Sequence, residues 1–366
     1  MTRRLCLVIP TLDRGGAEKQ LCLLAAGLPR DAFDTHVVLL TRDGPRRAVL
    51  DAAEIPVTVI GKRFKADPTA YFRLKRCLRR LSPEIVHTWI FAANSYGRAA
   101  AKSIGTPCII GSERCVDLWK TSRHFTVDRY LASRSQAITT NSSGVRDFYA
   151  QHGVPAEKFV VIPNGIEAAT QQSLSREEAC RRMAVDPAKR LIIAVGRLWP
   201  QKRYRDLIWA GEMLGELRGD TTLVIIGGGP QGPELTRYRD AVTAPQRVQF
   251  AGHRDDVAAL LPHCELFWIG SEYEGQSNSV MEAMRAGRPV VASDIPGNRD
   301  LVVDQETGRI LPLGDAAGFA QATHQILEDA PLAAAMGNAG RQRIMSEFTV
   351  EQMIQRHADL YSRWLA

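Results

Sequence analysis

Residues 5–20 read LCLVIPTLDRGGAEKQ, in which a short apolar run ends at Pro10 and Gly15-Gly16 follows. Leucine, valine and isoleucine without polar interruption are typical of a strand buried on both faces of a parallel sheet. The two glycines open a helical pattern that continues through Leu28. A strand, a glycine turn and a helix form the first βα unit of a doubly wound sheet, so this stretch predicts an α/β fold.

The same alternation of short apolar runs and helical patterns continues along the chain. Strands are predicted at Leu5–Pro10, Thr35–Leu40, Val57–Ile60, Glu84–Trp89, Cys108–Gly111, Ala137–Asn141 and Phe159–Pro163, and then at Leu191–Gly196, Thr222–Gly227, Val248–Gly252, Glu265–Gly270, Pro289–Ser293 and Arg309–Pro312. The 366 residues exceed the roughly 250–300 that one core supports. We therefore predict one domain over 1–167, a second over 168–348, and a terminal amphipathic helix over 349–366.

Composition excludes several classes of protein. Hydrophobic residues make up 45% and charged residues 24% of the chain, which is ordinary for a folded globular protein. Apolar runs are much shorter than the roughly 20 residues of a membrane-spanning helix. The seven cysteines form no C-x-x-C pair, so neither zinc nor a disulfide framework is expected, and a cytoplasmic location is predicted. The formal charge of +7 favours an anionic partner of unspecified kind.

Two loops at predicted strand ends carry groups suited to a diphosphate. Gly15-Gly16 would direct backbone amides and a helix dipole toward phosphates, although a tight turn requires glycine for backbone reasons alone. Arg197 and Lys202 follow the first strand of the second half. Two cations on one loop can neutralise a leaving diphosphate, and the alternative is a solvated basic loop.

Two glutamates follow the strand predicted at Glu265–Gly270. Glu274 lies in a glycine-containing loop, and Glu282 is placed in the first turn of the next helix. At this spacing they are not neighbours on one helical face, so they could bind different parts of one ligand. For Glu282 a structural alternative remains, because Ser279 and Glu282 have the spacing of a capping box.

Three motifs together carry a resemblance to a known family. They are Arg197-x4-Lys202, Glu274-x7-Glu282 and Ile162-Pro163-Asn164-Gly165-Ile166. In this order they resemble the retaining glycosyltransferases of the GT-B fold, family 4 type, over nearly the whole chain. The resemblance implies two Rossmann-like domains facing a central cleft, the first for the acceptor and the second for a nucleotide-diphosphate sugar. It also implies a last helix that crosses back to the first domain.

The resemblance assigns roles to individual residues. Arg197 and Lys202 would hold the donor diphosphate, Glu274 the transferred sugar and Glu282 the ribose, while Gly16, next to Gly15, would approach the phosphates from the other domain. The remaining predicted donor contacts are Gly229, His253, Arg254, Gly275, Gln276, Ser277, Asn278 and Ser279.

One position departs from the family pattern. Many relatives have H-x-H after the fourth strand, where this chain has His87-Thr88-Trp89. His87 is a catalytic candidate, with a structural role as the alternative. Trp89, Glu113 and Arg114 are the acceptor-side candidates.

No metal and no cofactor beyond the co-substrate are expected. No D-x-D motif stands at a strand end in a metal-binding context, and Asp255-Asp256 is typical of a helix start. Without a carboxylate pair that flanks a scissile bond, a covalent double displacement has no support. The resemblance implies transfer on the same face of the sugar.

Basic and aromatic residues cluster over 62–80. The basic members are Lys62, Arg63, Lys65, Arg73, Lys75, Arg76, Arg79 and Arg80, interleaved with Phe64, Tyr71, Phe72 and Leu74. Such a segment could lie on the anionic inner face of the cytoplasmic membrane, and a solvated helix face is the alternative. No nucleic-acid-binding module is present in the sequence.

The leading hypothesis is transfer of a sugar from a UDP- or GDP-sugar to a hydroxyl of a glycan or lipid-linked acceptor. A nucleotide-sugar epimerase is the second hypothesis, and the spacing of Glu274 and Glu282 argues against it. A non-catalytic nucleotide-sugar-binding subunit is the third. The intact set of Arg197, Lys202 and Glu274 argues against this last reading.

Overall fold

The computed structural model describes residues 2–168 and 174–364. Its strands are β1 (Arg3–Ile9), β2 (Phe33–Leu39), β3 (Val57–Val59), β4 (Ile85–Trp89), β5 (Cys108–Glu113), β6 (Ala137–Thr140), β7 (Phe159–Val161), β8 (Arg190–Val195), β9 (Thr221–Ile226), β10 (Val248–Gly252), β11 (Leu266–Ile269), β12 (Val290–Ser293) and β13 (Gly308–Leu311). Each predicted strand is present, with bounds that agree to within two residues.

Helices follow nearly every strand. They are α1 (Gly16–Gly27), α2 (Arg47–Ala52), α3 (Pro68–Leu81), α4 (Ile90–Ser103), α5 (Ser122–Ala132), α6 (Ser143–Gln151), α7 (Arg176–Met183), α8 (Tyr204–Leu217), α9 (Gly232–Val242), α10 (Val257–Leu260), α11 (Asn278–Arg285), α12 (Pro296–Arg299), α13 (Ala316–Glu328), α14 (Ala330–Glu347) and α15 (Val350–Arg363). None of the helices in the described residues is long and apolar enough to cross a membrane. The helix predicted over 349–366 includes Leu365 and Ala366, which lie outside the described residues.

The described residues form two parallel sheets with one reversal of strand order in each. The first sheet has the order β3-β2-β1-β4-β5-β6-β7 and the second β10-β9-β8-β11-β12-β13. The order reverses between β1 and β4 and between β8 and β11. Open α/β sheets bind ligands beyond the carboxyl ends of their strands at such switch points. The α/β, doubly wound prediction is confirmed.

The chain divides into two compact units. The first unit contains residues 2–165 and 348–364, and the second unit contains the described residues of Ile166–Glu347. Helix α15 thus belongs to the first unit. Its Met353, Leu360 and Tyr361 are buried in the same apolar core as Leu21 of α1 and Leu39 of β2. The predicted return of the last helix to the first domain is confirmed.

Candidate active site

The switch point of the second unit brings Lys202 and Glu274 together. Lys202 follows β8 and Glu274 follows the adjacent strand β11, which pairs with β8 in parallel. Lys202 Nζ lies 2.5 Å from Glu274 Oε1, and the two side chains are 16% and 12% exposed. A mostly buried ion pair of this length is thus present where ligands bind in sheets of this kind.

The local backbone fixes the position of Lys202. It ends a short 3-10 helix, Pro200–Lys202, and its amide donates to the Trp199 carbonyl at 2.9 Å. The next residue, Arg203, has a φ of 50°, a left-handed conformation that is uncommon outside glycine. Arg203 Nε donates to Asp206 at 2.6 Å in the first turn of α8. The lysine is therefore held between two tight turns.

Arg197 lies on the same loop in a different environment. Its side chain is exposed, and its guanidinium carbon lies 5.6 Å from the centre of the Trp199 ring. The structure thus brings Lys202 and Glu274 into contact and leaves Arg197 on the solvent side of their loop.

A glycine turn after β9 supports this loop. Gly227 has a φ of 155°, and a Cβ atom there would lie 1.9 Å from the Gly196 carbonyl oxygen, so only glycine fits. The Leu198 amide donates to the Gly228 carbonyl at 3.0 Å. Gly229 also lies against the Leu198 backbone. These contacts give the glycine turn a structural role against Gly196 and Leu198, and its contact with a nucleotide base stays a prediction.

Hydrogen bonds connect the loops after β8 and β11. The Glu272 amide donates to the Gln201 carbonyl at 2.9 Å, and Gln201 Nε2 donates to the Tyr273 carbonyl at 2.6 Å. Ser279 Oγ donates to the Val195 carbonyl at the end of β8, at 3.3 Å. The Lys202 and Glu274 loops are therefore one connected layer.

The start of α11 corrects the capping-box alternative for Glu282. Helix α11 begins at Asn278 with Ser277 as the N-cap residue, so Ser279 lies inside the first turn and does not cap the helix through Glu282. Glu282 is half-buried one turn farther along, while Gln276 and Ser277 are buried. The backbones of Gly275 and Gly297 lie in close contact, since a Cβ atom at Gly297 would be 1.8 Å from the Gly275 carbonyl oxygen.

His253 and Arg254 differ in their environments after β10. The Arg254 guanidinium makes two hydrogen bonds of 2.8 Å to the Asp256 carboxylate. These bonds lower the pKa of Asp256 to about 2. Arg254 is thus engaged in a structural ion pair at the start of α10. His253 is exposed and adjoins Gly228 of the glycine turn.

In the first unit, Gly15 and Gly16 stand at the amino terminus of α1 as predicted. Gly15 is the N-cap residue, and the Glu18 side chain contacts it from the first turn of the helix. Thr11 Oγ1 also donates to Glu18 Oε1 at 3.4 Å. A carboxylate is favourable at a helix amino terminus, and Glu18 already occupies this position in α1. A phosphate bound at this terminus would therefore lie beside the Glu18 carboxylate.

The structure gives His87 a structural role and does not support the catalytic prediction. The side chain is completely buried. Nδ1 is hydrogen-bonded to the Tyr361 hydroxyl at 2.7 Å and Nε2 to the Thr139 hydroxyl at 3.1 Å. Burial lowers the pKa of His87 well below its ordinary value, so the ring is neutral. Its hydrogen bond to Tyr361 connects β4 to α15.

Trp89 is likewise a core residue, which does not support its prediction as an acceptor contact. It is completely buried, and its ring stacks on that of His357 with centroids 6.2 Å apart. The Arg114 guanidinium carbon lies 4.7 Å from the Trp89 ring centre. The next residue, Ile90, has a φ of 60°, which is rare for a β-branched side chain and costs about 1–3 kcal/mol. The turn after β4 therefore stores strain at the switch point of the first sheet.

Glu113 belongs to a buried charge cluster that sequence analysis missed. Tyr149 donates to its Oε2 at 3.0 Å, and Lys120 Nζ lies 3.5 Å from the same atom. Lys120 Nζ also lies 2.9 Å from Asp128 and 3.5 Å from Asp117. Burial raises the pKa of Asp117. In the sequence, the only sign of this cluster is the position of Asp117 three residues before Lys120. In the structure, these contacts let Glu113 anchor the loop after β5.

Two family models match the chain, one in each half. A model described as Glycosyltransferase Family 4 matches residues 14–170, and one described as Glycosyl transferases group 1 matches residues 189–329. The chain belongs to the group 1/family 4 glycosyltransferases. This transferase therefore carries its Lys202–Glu274 pair in the half that the group 1 model matches.

Curated relatives resemble this glycosyltransferase over most of its length. The UDP-Gal:alpha-D-GlcNAc-diphosphoundecaprenol alpha-1,3-galactosyltransferase of Escherichia coli is 25% identical, over 91% of this chain and 90% of the relative. The lipopolysaccharide core biosynthesis glycosyltransferase LpsE of Rhizobium meliloti is 24% identical, over 94% of this chain and 95% of the relative.

Solved structures share the GT-B fold of the transferase. A crystal structure of Anabaena HepE in complex with UDP-glucose matches with a TM-score of 0.87 at 22% identity, covering 99% of this chain and all of the other. A glycosyltransferase from Rickettsia africae matches with a TM-score of 0.86 at 18% identity, covering 100% and 99% of the two chains.

Proposed function

We propose that this glycosyltransferase moves a sugar from a UDP- or GDP-sugar to a hydroxyl of a glycan or lipid-linked acceptor, with retention at the anomeric carbon and without a metal ion. The observation that carries the proposal is the Lys202–Glu274 pair at the switch point of the second sheet. The names of the relatives support it, because the Escherichia coli enzyme is named for a UDP-sugar and a diphosphoundecaprenol acceptor. The Anabaena protein was crystallised with UDP-glucose.

The lysine and arginine of the β8 loop supply the positive charge in this proposal. An ammonium group has three N–H donors, so the bond to Glu274 leaves two for the oxygens of a leaving diphosphate. The exposed Arg197 offers a second cation on the same loop. Preorganised donors aimed at developing charge are a large source of rate enhancement, and here they would take the place of Mg²⁺.

The proposed transfer occurs on one face of the sugar. The bond between the anomeric carbon and the phosphate oxygen breaks, and a bond from the anomeric carbon to the acceptor oxygen forms. The departing phosphate oxygen takes the proton of the acceptor hydroxyl. Glu274 holds hydroxyls of the transferred sugar, because its carboxylate accepts hydrogen bonds and already lies beside the leaving-group lysine.

A donor screen followed by product analysis tests this function. One nucleoside-diphosphate sugar should raise the melting temperature increasingly as its concentration exceeds its dissociation constant, because it binds only the native state. With the matching acceptor, the product's anomeric configuration by NMR should equal that of the donor, and EDTA should leave the rate unchanged. An inverted product or loss of the rate in EDTA would refute retention or metal independence. Conversion of the donor to a stereoisomer without acceptor would identify an epimerase.

We also propose that the segment over 62–80 binds an anionic membrane surface. Phe64 and Phe72 are 59% and 66% exposed and lie among basic side chains before and on α3. The Arg73 guanidinium is less available to lipid headgroups than the other basic groups of the segment, because it donates to the carbonyls of Ile60 and Gly61 at 2.9 and 2.8 Å. Exposed aromatics with surrounding basic groups suit the boundary between lipid headgroups and acyl chains.

Vesicle sedimentation tests the membrane proposal. The wild-type protein should pellet with vesicles that contain anionic lipid and remain in the supernatant with neutral vesicles. Phe64→Ser with Phe72→Ser should weaken binding several-fold, since each ring loses its apolar burial. Trp209→Ser, at an exposed aromatic of the second unit, serves as the matched control. Equal recovery of wild type and the double variant in the pellet would refute the assignment of this segment.

A further inference from the structure

Arg114 is a buried cation without a counter-charge in the described residues. It follows β5, the strand next to β4 at the switch point of the first sheet, and is 7% exposed. Its Nη2 donates to Asn164 Oδ1. Nε and Nη1 are buried and have no hydrogen-bond partner among the described residues. Burial alone lowers the pKa of Arg114 to about 9, which leaves the side chain charged at neutral pH.

A second buried arginine of the same unit shows what a structural role looks like. Arg98 is 2% exposed, its Nη2 lies 3.5 Å from Asp128 Oδ1, and its Nε donates to the Asn94 carbonyl at 3.1 Å. Glu113 and Asp128 both raise the pKa of Arg98 against the effect of burial. Arg114 has no such carboxylate among the residues that the structure describes, although a buried charge is costly unless it is paired.

The surroundings of Arg114 hold its guanidinium in one place. The Trp89 ring lies beneath it at 4.7 Å, and Asn164 belongs to the turn that follows β7. Trp89 Nε1 is also buried without an acceptor among the described residues. The Arg114 donors that have no acceptor among the described residues are held over the Trp89 ring at the carboxyl end of a strand, an arrangement that suits an oxyanion.

We propose that Arg114 binds a phosphate oxyanion of the acceptor and thereby selects acceptors whose sugar is attached through a phosphate. This inference rests on the proposed function, which it deepens by naming the acceptor class. A diphosphate of the donor has the same chemistry and is the competing source. The first unit carries Arg114, whereas Lys202 and Glu274, the proposed donor groups, belong to the second unit.

Inorganic pyrophosphate is the probe, added while UDP and GDP together saturate the donor site. In the wild type, pyrophosphate should raise the melting temperature further. Arg114→Met should weaken this second binding at least about tenfold, the loss expected when a charge-assisted bond is removed. Arg114→Lys, which keeps the charge but not the planar group, should give an intermediate value. An equal pyrophosphate effect in wild type and Arg114→Met, or none in the wild type, would overturn the proposal.

The stability of the variants without ligand separates a binding role from a structural one. Arg114→Met should keep or raise the melting temperature, because it removes an uncompensated buried charge. Arg98→Met is the matched control and should lower it, because it removes one of the two cations beside the buried Asp128 carboxylate, the other being Lys120. A large drop for Arg114→Met would show that this side chain stabilises the folded unit itself and would overturn the binding role.

The response of Arg114→Met to the sugar donor shows whether the bound oxyanion comes from the acceptor or from the donor. Arg114→Met should retain the wild-type shift with the nucleoside-diphosphate sugar. Loss of the donor shift, with the pyrophosphate effect intact, would place the phosphate on the donor and overturn the acceptor assignment. If no nucleotide sugar shifts the wild type, the proposed donor fails while the pyrophosphate result for Arg114 remains interpretable.

Discussion

At the scale of single residues, the ion pair of Lys202 and Glu274 supplies two of the side chains to which we assign the sugar transfer. Both side chains are mostly buried, yet they follow two different strands and meet at 2.5 Å. Burial strengthens their electrostatic interaction and also raises the cost of removing either partner. Arg197, by contrast, is exposed.

Replacing either cation should lower activity, and replacing Arg197 should do so without a loss of stability. Lys202→Ala and Arg197→Ala should each lower turnover at least about a hundredfold, comparable with removal of one preorganised oxyanion donor. Arg197→Ala should leave the melting temperature unchanged, since its side chain is exposed. The matched control is Arg205→Ala, at an exposed arginine of α8 that pairs with Glu234 at 3.5 Å. Near-normal turnover in both test variants would contradict the proposed leaving-group site.

At the scale of elements, α15 is docked on the first unit through buried polar rings as well as apolar contacts. His357 is completely buried, and its Nδ1 donates to the Met353 carbonyl at 2.8 Å. Burial lowers the pKa of His357 to about 3, with Arg114 contributing in the same direction. His87 beneath it has a lowered pKa for the same reason. The docked helix therefore requires neutral imidazoles.

This requirement predicts that acid weakens the first unit. The unfolded chain binds a proton at His357 below about pH 6.5, whereas the folded chain does so only near pH 3, so stability falls as the pH falls between these values. Between pH 7 and pH 5 the loss from this one histidine is about 2 kcal/mol. Calorimetry at both pH values should show a smaller decrease for His357→Gln. The exposed His253→Gln should retain the wild-type decrease, and an equal decrease in all three proteins would contradict the assignment.

The strands were predictable from sequence, whereas the polar contacts between elements were not. A strand buried on both faces, such as β8, is an apolar run ended by glycine, and its signal lies within six neighbouring residues. The start of α11 was placed wrongly because Ser277 and Ser279 are both acceptable caps. In the Lys120 cluster, Tyr149 contacts Lys120 and Glu113, which precede it by 29 and 36 positions. These contacts form only after packing, and the pattern along the chain contains no trace of them.

At the scale of the molecule, the first unit is made of two separate stretches of chain. Residues 348–364 complete a core whose other members precede residue 166. Burial of each large apolar side chain contributes about 1.5–3 kcal/mol. Loss of Met353, Leu360 and Tyr361 together therefore approaches the 5–15 kcal/mol of a typical domain.

A chain that ends at Glu347 should consequently lose the first unit selectively. Its calorimetric transition should disappear or broaden, and protease should cut within residues 2–165 while the second unit stays protected. Arg356→Ala, on the exposed face of α15, serves as the full-length control and should behave as wild type. An unchanged transition for the first unit in the truncated chain would show that α15 is dispensable to it.

The division of the first unit also bears on how the protein is made. A ribosome synthesises residues 166–347 before the final helix emerges, so the second unit has its whole sequence available while the first still lacks α15. Domains that are continuous in sequence usually mature in the order of their synthesis. Here the first unit is expected to reach its native state after the second, because it waits for α15 to leave the exit tunnel.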